Sequence, residues 1–372
     1  MSGDLALDDP DPPSSSPAAP LELVPTSPEA GASPARPGFA VVGAGSLGLV
    51  FAAALAASGS PVTVLARRDS LAAVLSTGEL RIGGALGLQV PLTAGPGSPG
   101  VVGVVGNAGE VPVVVATLLT TKGHDLQAVV DELAGAAAGG AMAGAWFAGF
   151  QNGVMKDEVL AGAFGADRVL GAATVLGARR VAAGEVVVAG LGTTYFGELG
   201  GVLSPRAHAA AGTFAAAGLP AVTVDDARSL LWSKFANAVG IFGVSVLTRL
   251  ATGELFARPP LVLAYRSLLD EVDAVARAEG VEIGDYPDLP MRSYLEEDAE
   301  EMAERVAARA AANSGPPSLS SMLQDVAAGR PSEAEQIFGD LIGRAARHGV
   351  PVPRAEIVCR LVAGIDLGSA RR

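Results

Sequence analysis

Phe39-Ala40-Val41-Val42-Gly43-Ala44-Gly45-Ser46-Leu47-Gly48 is the stretch on which the fold turns. A short apolar run ending at a glycine reads as a strand buried on both faces, and Leu47 to Ala57 follows as a helix of small residues. Ser58-Gly59-Ser60-Pro61 stops that helix, and Pro61 to Ala66 reads as a second buried strand. Strand, turn, helix and strand in this order make a βαβ unit, which implies a parallel sheet. Between the first strand and the helix, Gly43, Gly45 and Gly48 keep the spacing of a dinucleotide-binding turn. Its glycines permit a tight turn, close backbone approach to a pyrophosphate and close helix packing. With Ala44, Ser46 and Leu47 they form an expected cradle in which free N–H groups and the helix dipole favour phosphate.

Working outward, Val111 to Leu119 reads as a later strand running into Thr121-Lys122. Ala145 to Phe150 reads as another, with Gln151-Asn152-Gly153 at its carboxyl end, where ligands of such sheets sit. From Arg168 to Glu198 short β-rich runs with glycine suggest a hairpin or two extending the sheet. Beyond Gly200 to Pro205 the period is helical over residues 206–217, 226–250, 259–279, 296–312, 321–328 and 333–347. The expected organisation is a disordered tail over 1–37, an α/β Rossmann domain over 38–203 and a mainly α-helical domain over 204–367. The tail is assigned on composition: Pro, Ser, Ala and acidic residues, no basic residue before Arg36, and no apolar run like a signal peptide.

A chain of 372 residues, 49% hydrophobic and 17% charged, can bury two cores. Its net charge of -13 opposes tracking of a phosphate backbone, so nucleic acid is not an expected partner. The mean hydropathy of +0.39 and the charge-free stretch from Gly38 to Ala66 invite a membrane reading, but glycines and Pro61 divide that stretch and no membrane span is expected. Cys359 is the single cysteine; it offers no internal disulfide and no metal companions, so no metal is expected and a cytoplasmic setting fits best.

Of the 26 basic residues only Lys122, Lys156 and Lys234 are lysines. Arginine cannot release a proton at working pH whereas a tuned lysine can, so a lysine kept against an arginine bias is a chemical suspect. Asparagine is equally scarce, at Asn107, Asn152, Asn237 and Asn313. The second strand ends in Ala66-Arg67-Arg68, where an NAD-type fold would offer a carboxylate to the ribose, and Asp69 comes late. Guanidinium groups there suit a 2'-phosphate, which points to NADP(H) with Arg67 as a binding residue.

The glycine turn, Thr121-Lys122, Gln151-Asn152-Gly153, Leu231-Trp232-Ser233-Lys234 and Ser320-Ser321-Met322-Leu323-Gln324-Asp325 through Gly329-Arg330-Pro331-Ser332-Glu333 follow one another in this order. Together they resemble the ketopantoate reductase family over about residues 38–365. The resemblance implies a Rossmann domain and a helical domain that bind NADPH and a 2-oxo acid in the cleft between them, with a lysine on the first long helix of the second domain as general acid. Position for position that lysine is Lys234. Hydride delivery to a ketone develops negative charge on its oxygen, and an ammonium within reach stabilises and protonates it. A helix-stabilising surface lysine is the plainer reading.

The resemblance assigns Ser321 to the substrate carboxylate, and Glu333 to the substrate hydroxyl end and to orienting the lysine. Capping explains part of each, since Ser321 to Gln324 and Ser332 to Glu335 both have the pattern of a capping box. Asn152 is expected near the reacting centre, with a simple turn role as its alternative. Lys122 is expected at cofactor phosphate or the substrate region; Lys156, with no motif around it, reads as surface.

One departure is informative. Family members commonly carry asparagines four and eight residues after the lysine, where this chain has Ala238 and Phe242. Those positions share a helix stripe with Lys234, so an amide wall has become apolar, with Asn237 one position off. A small hydroxylated acid such as ketopantoate should bind less well, and a bulkier or more apolar 2-oxo acid better. An imine or imino-acid reductase, and an NADP-binding sensor without turnover, are the competing readings. A homodimer through the helical domain is the expectation by analogy.

Overall fold

The computed structural model describes residues 38–312 and 318–369; the expected tail, Asn313 and the side chain of Arg68 lie outside the described residues. The βαβ unit forms as read: β1 (Phe39–Val42), α1 (Ser46–Ala57) and β2 (Val62–Leu65), with both strands buried along their length. After α2 (Arg68–Leu75) come β3 (Glu79–Gly84), β4 (Leu88–Ala94) and β5 (Val102–Val105), which the sequence reading does not anticipate. β6 (Ala116–Leu119) is shorter than the 111–119 expected, because Pro112 cannot donate to a ladder and Val113 is exposed. α3 (Leu126–Gly139), β7 (Trp146–Gly149) and α4 (Met155–Phe164) follow.

Next come β8 (Leu170–Thr174), β9 (Gly177–Ala182), β10 (Glu185–Gly190), β11 (Thr194–Glu198), α5 (Pro205–Ala216) and β12 (Ala221–Val224). The main sheet runs β7-β6-β1-β2-β5-β4-β3-β10-β9, parallel from β7 to β4. Only the β9–β10 hairpin extends it; β8 and β11 pair instead with β12 in a second, three-stranded sheet. α5 and β12 pack on β11, so the expected boundary at 203/204 falls inside the first half, and the helical run starts at Ala227. Edge-to-face contacts of Phe51, Phe150, Phe196 and Phe214 fill the space between α1 and the second sheet.

The second half is mainly helical: α6 (Ala227–Thr248), α7 (Thr252–Phe256), α8 (Pro259–Ala278), a hairpin of β13 (Asp285–Tyr286) and β14 (Leu289–Pro290), α9 (Met291–Glu296), α10 (Ala299–Ala312), α11 (Ser321–Ala327), α12 (Asp340–His348) and α13 (Pro353–Ser369). α6 is long and apolar enough to cross a membrane, but 78% of its apolar window is buried among the other helices, so the core accounts for its composition. The helix expected over 333–347 opens instead with a π turn, Glu335–Gly339, before α12. Arg344 on α12 ties the halves together: buried under Trp232, its guanidinium bonds to Asp340, to Glu279 and, at 2.8 Å, to Glu158 on α4.

Candidate active site

The strand order reverses between β1 and β6, which run parallel, so the chain leaves both strands at the same edge, the position where open α/β sheets bind ligands. The first exit is the glycine turn. Gly43 has φ +111°, which a side chain rarely adopts, and a Cβ on Gly48 would lie 2.1 Å from the Gly43 carbonyl oxygen. A Cβ on Gly45 would meet nothing nearer than the Thr120 carbonyl at 3.9 Å, so the outer side of that backbone is open. α1 begins with no side-chain cap and no acidic residue in its first turn. Its free N–H groups and positive dipole end face this open space, and the cradle fits a pyrophosphate.

Two residues without a local signal complete the turn. Thr120 at the end of β6 donates to the carbonyls of Val42 or Gly43, each at 3.1 Å. Arg180 on β9 crosses over the turn: its backbone N–H donates to Ser46 Oγ at 2.9 Å, and its guanidinium reaches the Ala44 carbonyl. Arg67 follows β2 with its side chain 80% exposed and pairs with Asp125 at 3.1 Å. The edge of the cradle is therefore cationic and reachable by an anion.

The second exit carries Lys122. Its ammonium lies 2.5 Å from Asp325 and 2.9 Å from Glu333, while Glu333 also accepts the Gly123 N–H at 2.8 Å. Burial alone lowers the lysine pKa, but the two carboxylates outweigh it and hold the group above its ordinary value. Asp325 and Glu333 are both buried, and Arg330 takes the remaining oxygen of Asp325. This cluster joins the loop after β6 to the segment between α11 and α12, and the π turn beyond Glu333 also packs on Gly123 and Gly153. Insertions of this kind re-aim the residues beside them.

Glu333 was expected to orient Lys234; among the described residues it contacts Lys122 and Gly123 instead, because the loop after β6 brings an ammonium and an N–H to it. Lys234 stands on α6 half-buried, with no hydrogen-bond or ion-pair partner among the described residues. Desolvation without a compensating charge pushes its pKa down to about 8. Asn152 and Ser321 are likewise half-buried with no side-chain partner. The cap of α11 is Ser320, not Ser321: Ser320 Oγ accepts the Leu323 N–H and bonds Ser245 on α6 at 2.7 Å, which leaves the Ser321 hydroxyl free. Nor does Ser332 form a box with Glu335; it bonds Asp366 at 2.5 Å.

Ala238 and Phe242 are buried in the core of the helical half. Asn237 accepts a hydrogen bond from Tyr265 at 3.0 Å and lines a cavity of about 340 Å³ together with Ile241. Lys156 is not at the surface. It is 4% exposed and bonds Asp157 at 2.5 Å; burial outweighs that attraction and lowers the lysine while raising the carboxyl. The start of α4 packs under β7, against Gly149, and so draws the side chain inside.

Comparison with known proteins agrees with this architecture. The model of the family described as ketopantoate reductase matches residues 39–201, and its C-terminal counterpart matches residues 226–366. The chain is 30% identical over 330 residues to a 2-dehydropantoate 2-reductase of Archaeoglobus fulgidus, covering 88% of this chain and 97% of that protein. It is 30% identical over 219 residues to the enzyme of the same name from Halobacterium salinarum, covering 59% and 67% of the two chains. Among solved structures, the 2-dehydropantoate 2-reductase of Geobacter metallireducens superposes with a TM-score of 0.71 at 27% identity, over 88% of this chain and 99% of that one.

Proposed function

This chain belongs to the ketopantoate reductase family and is an oxidoreductase, and from that premise we propose that it reduces a 2-oxo acid to the 2-hydroxy acid with NADP(H), Lys234 serving as the general acid. The observation that carries this reading is the unpartnered, half-buried ammonium of Lys234, whose pKa is pushed down to about 8. NADPH held at the glycine turn would supply the hydride.

At neutral pH most of Lys234 is still charged, so it hydrogen-bonds an oxyanion as charge develops and gives up its proton at modest cost. An arginine would bind the oxyanion but keep its proton. Gly43, Ala44, Gly45, Ser46, Leu47 and Gly48 form the cradle, and the open backbone at Gly45 is the feature that supports pyrophosphate binding. Arg67 suits the 2'-phosphate. Asn152 and Ser321, polar and without side-chain partners among the described residues, are assigned to the reacting centre and to the substrate carboxylate. Glu333 acts through Lys122 and Gly123, holding the loop after β6 against the helical half. Ala238 and Phe242 stand where family members commonly carry asparagine but are packed in the helical core, so the preference for a bulkier or more apolar acid than ketopantoate rests on the loss of those amides.

The test is oxidation of NADPH by the wild-type chain and by Lys234→Ala, with ketopantoate beside a panel of larger 2-oxo acids. Cofactor affinity is measured separately by fluorescence titration. Turnover that collapses in the variant while affinity persists is the expected result. Full turnover in Lys234→Ala would overturn the assignment of the acid, and NADPH binding without oxidation across the panel would overturn the activity.

A further inference from the structure

We propose that the cavity beside α6 receives the side group of the 2-oxo acid and selects acids bearing an aromatic ring; this rests on the 2-oxo acid reductase reading above. The cavity, about 340 Å³, is bounded by Val175 and Gly192 from the first half and by Asn237, Ile241, Phe256 and Tyr265, among others, from the second. That volume lies at the lower end of small-molecule sites and accommodates a phenyl group with its linking carbon.

Its place relative to Lys234 follows from helical geometry. Asn237 and Ile241 lie three and seven residues after Lys234 on the uninterrupted helix α6, so the three side chains share one face. A carbonyl at the ammonium thus has the cavity as its neighbour along the helix.

The chemistry of the wall sets the substrate class. Ile241, Val175, Phe256 and the ring of Tyr265 present carbon, and aromatic rings pack edge to face, as Phe256 and Tyr265 already do at 5.1 Å. The Tyr265 hydroxyl donates to Asn237 Oδ1 and the side chain is fully buried, so it backs the wall without presenting a free donor to a ligand. Asp288, on the same wall, accepts from the N–H and the hydroxyl of Thr193 through Oδ2, both at 2.9 Å, which ties its carboxylate to that loop. A small hydroxylated side group would leave much of this space unfilled, which disfavours it.

Two substitutions that fill the cavity from different elements, Ile241→Trp on α6 and Val175→Phe after β8, test the proposal. Steady-state reduction of phenylpyruvate is compared with that of pyruvate and ketopantoate, and calorimetry follows binding of 3-phenyllactate to the NADP⁺-loaded protein. NADPH affinity reports that each variant is folded. The wild type is expected to favour the aromatic acid in kcat/KM, and both variants to lower that preference by about thirtyfold or more and to lose 3-phenyllactate binding. Reduction of small acids with no binding or turnover of the aromatic one overturns the cavity assignment and leaves the activity standing. So does an aromatic preference that neither substitution alters. Binding of 3-phenyllactate that the substitutions abolish, with no turnover of any 2-oxo acid, sustains the cavity assignment and refutes the activity.

Discussion

The carboxylate of Glu333 lies 2.9 Å from the ammonium of Lys122, and this bond separates the roles of two lysines that sequence alone leaves parallel. Lys122 is neutralised by two buried carboxylates, whereas Lys234 is left with burial and no counter-charge. The first lysine is built to stay charged and to hold two segments together. The second, on the function proposed above, gives its proton away.

Lys122→Met strands the Glu333 carboxylate with only the Gly123 N–H as donor, while Asp325 keeps Arg330. Removing one partner of a buried pair costs about 3 kcal/mol, less the share lost to solvent because the lysine side chain is 40% exposed. Denaturant unfolding should therefore show a clear loss, and Glu333→Gln, which keeps an acceptor for Gly123, a smaller one. The folded pKa of Lys122 is raised, so its contribution is fully present below the unfolded value of 10.5 and is lost only as pH rises through the higher folded value. The difference between wild type and variant should be flat from pH 6 to pH 9.

For Lys234 the sign is opposite. Its folded pKa of about 8 lies below the unfolded 10.5, so folding disfavours its charged form, and stability rises as pH increases between those values. Lys234→Met should raise the melting temperature at pH 7 while lowering kcat by about a hundredfold or more. Reduction by the wild type should fall above pH 8 as the acid loses its proton. A melting temperature that drops in Lys234→Met would contradict the unpartnered ammonium.

The two glycines of the turn fail in different ways. Gly48→Ala sets a methyl group 2.1 Å from the Gly43 carbonyl, so both stability and NADPH binding should suffer. Gly45→Ala meets no protein atom closer than 3.9 Å, so it should unfold within about 1 kcal/mol of the wild type yet bind NADPH about tenfold or more weakly. Equal loss of stability in both variants would show that the open side of Gly45 is not a ligand surface.

Arg67→Ala tests cofactor choice. The exposed guanidinium contributes little to folding through its contact with Asp125, so the variant should melt like the wild type. Its dissociation constant for NADPH should rise about tenfold, with that for NADH nearly unchanged. Equal weakening of both cofactors would remove Arg67 from the 2'-phosphate.

What was legible in the sequence is what neighbouring residues decide. The glycine turn needs only the strand before it and the helix after it, and α5, α6, α8, α10 and α11 announce themselves by period, whereas α7 and α9, at five and six residues, are too short to do so. Lys234 could be singled out because lysine is so rare in this chain. What depends on distant chain could not be read. Lys156 sits inside because β7 passes over it, Arg344 finds Glu158 across the join, and Arg180 reaches the glycine turn from a hairpin far along the chain. The capping residue of α11 was misplaced by one position, since Ser320 and Ser321 look alike until Ser245 is seen beside the first. β3 and β4 do alternate apolar and polar residues, as in Leu80-Arg81-Ile82 and Leu88-Gln89-Val90, a signal the sequence reading passes over; β5, four residues with Gly103, is too short to display one.

The isolation of Lys234 also makes this protein unusual to label. Of the three lysines, Lys122 is clamped by carboxylates and Lys156 is enclosed with Asp157, so neither presents a free amine. With a pKa near 8, about a tenth of Lys234 is unprotonated at pH 7, far more than an ordinary lysine. An aldehyde followed by borohydride, or an activated ester at low excess, would attach to Lys234 before any other lysine, giving a chemical handle on the proposed reacting centre that needs no engineered cysteine.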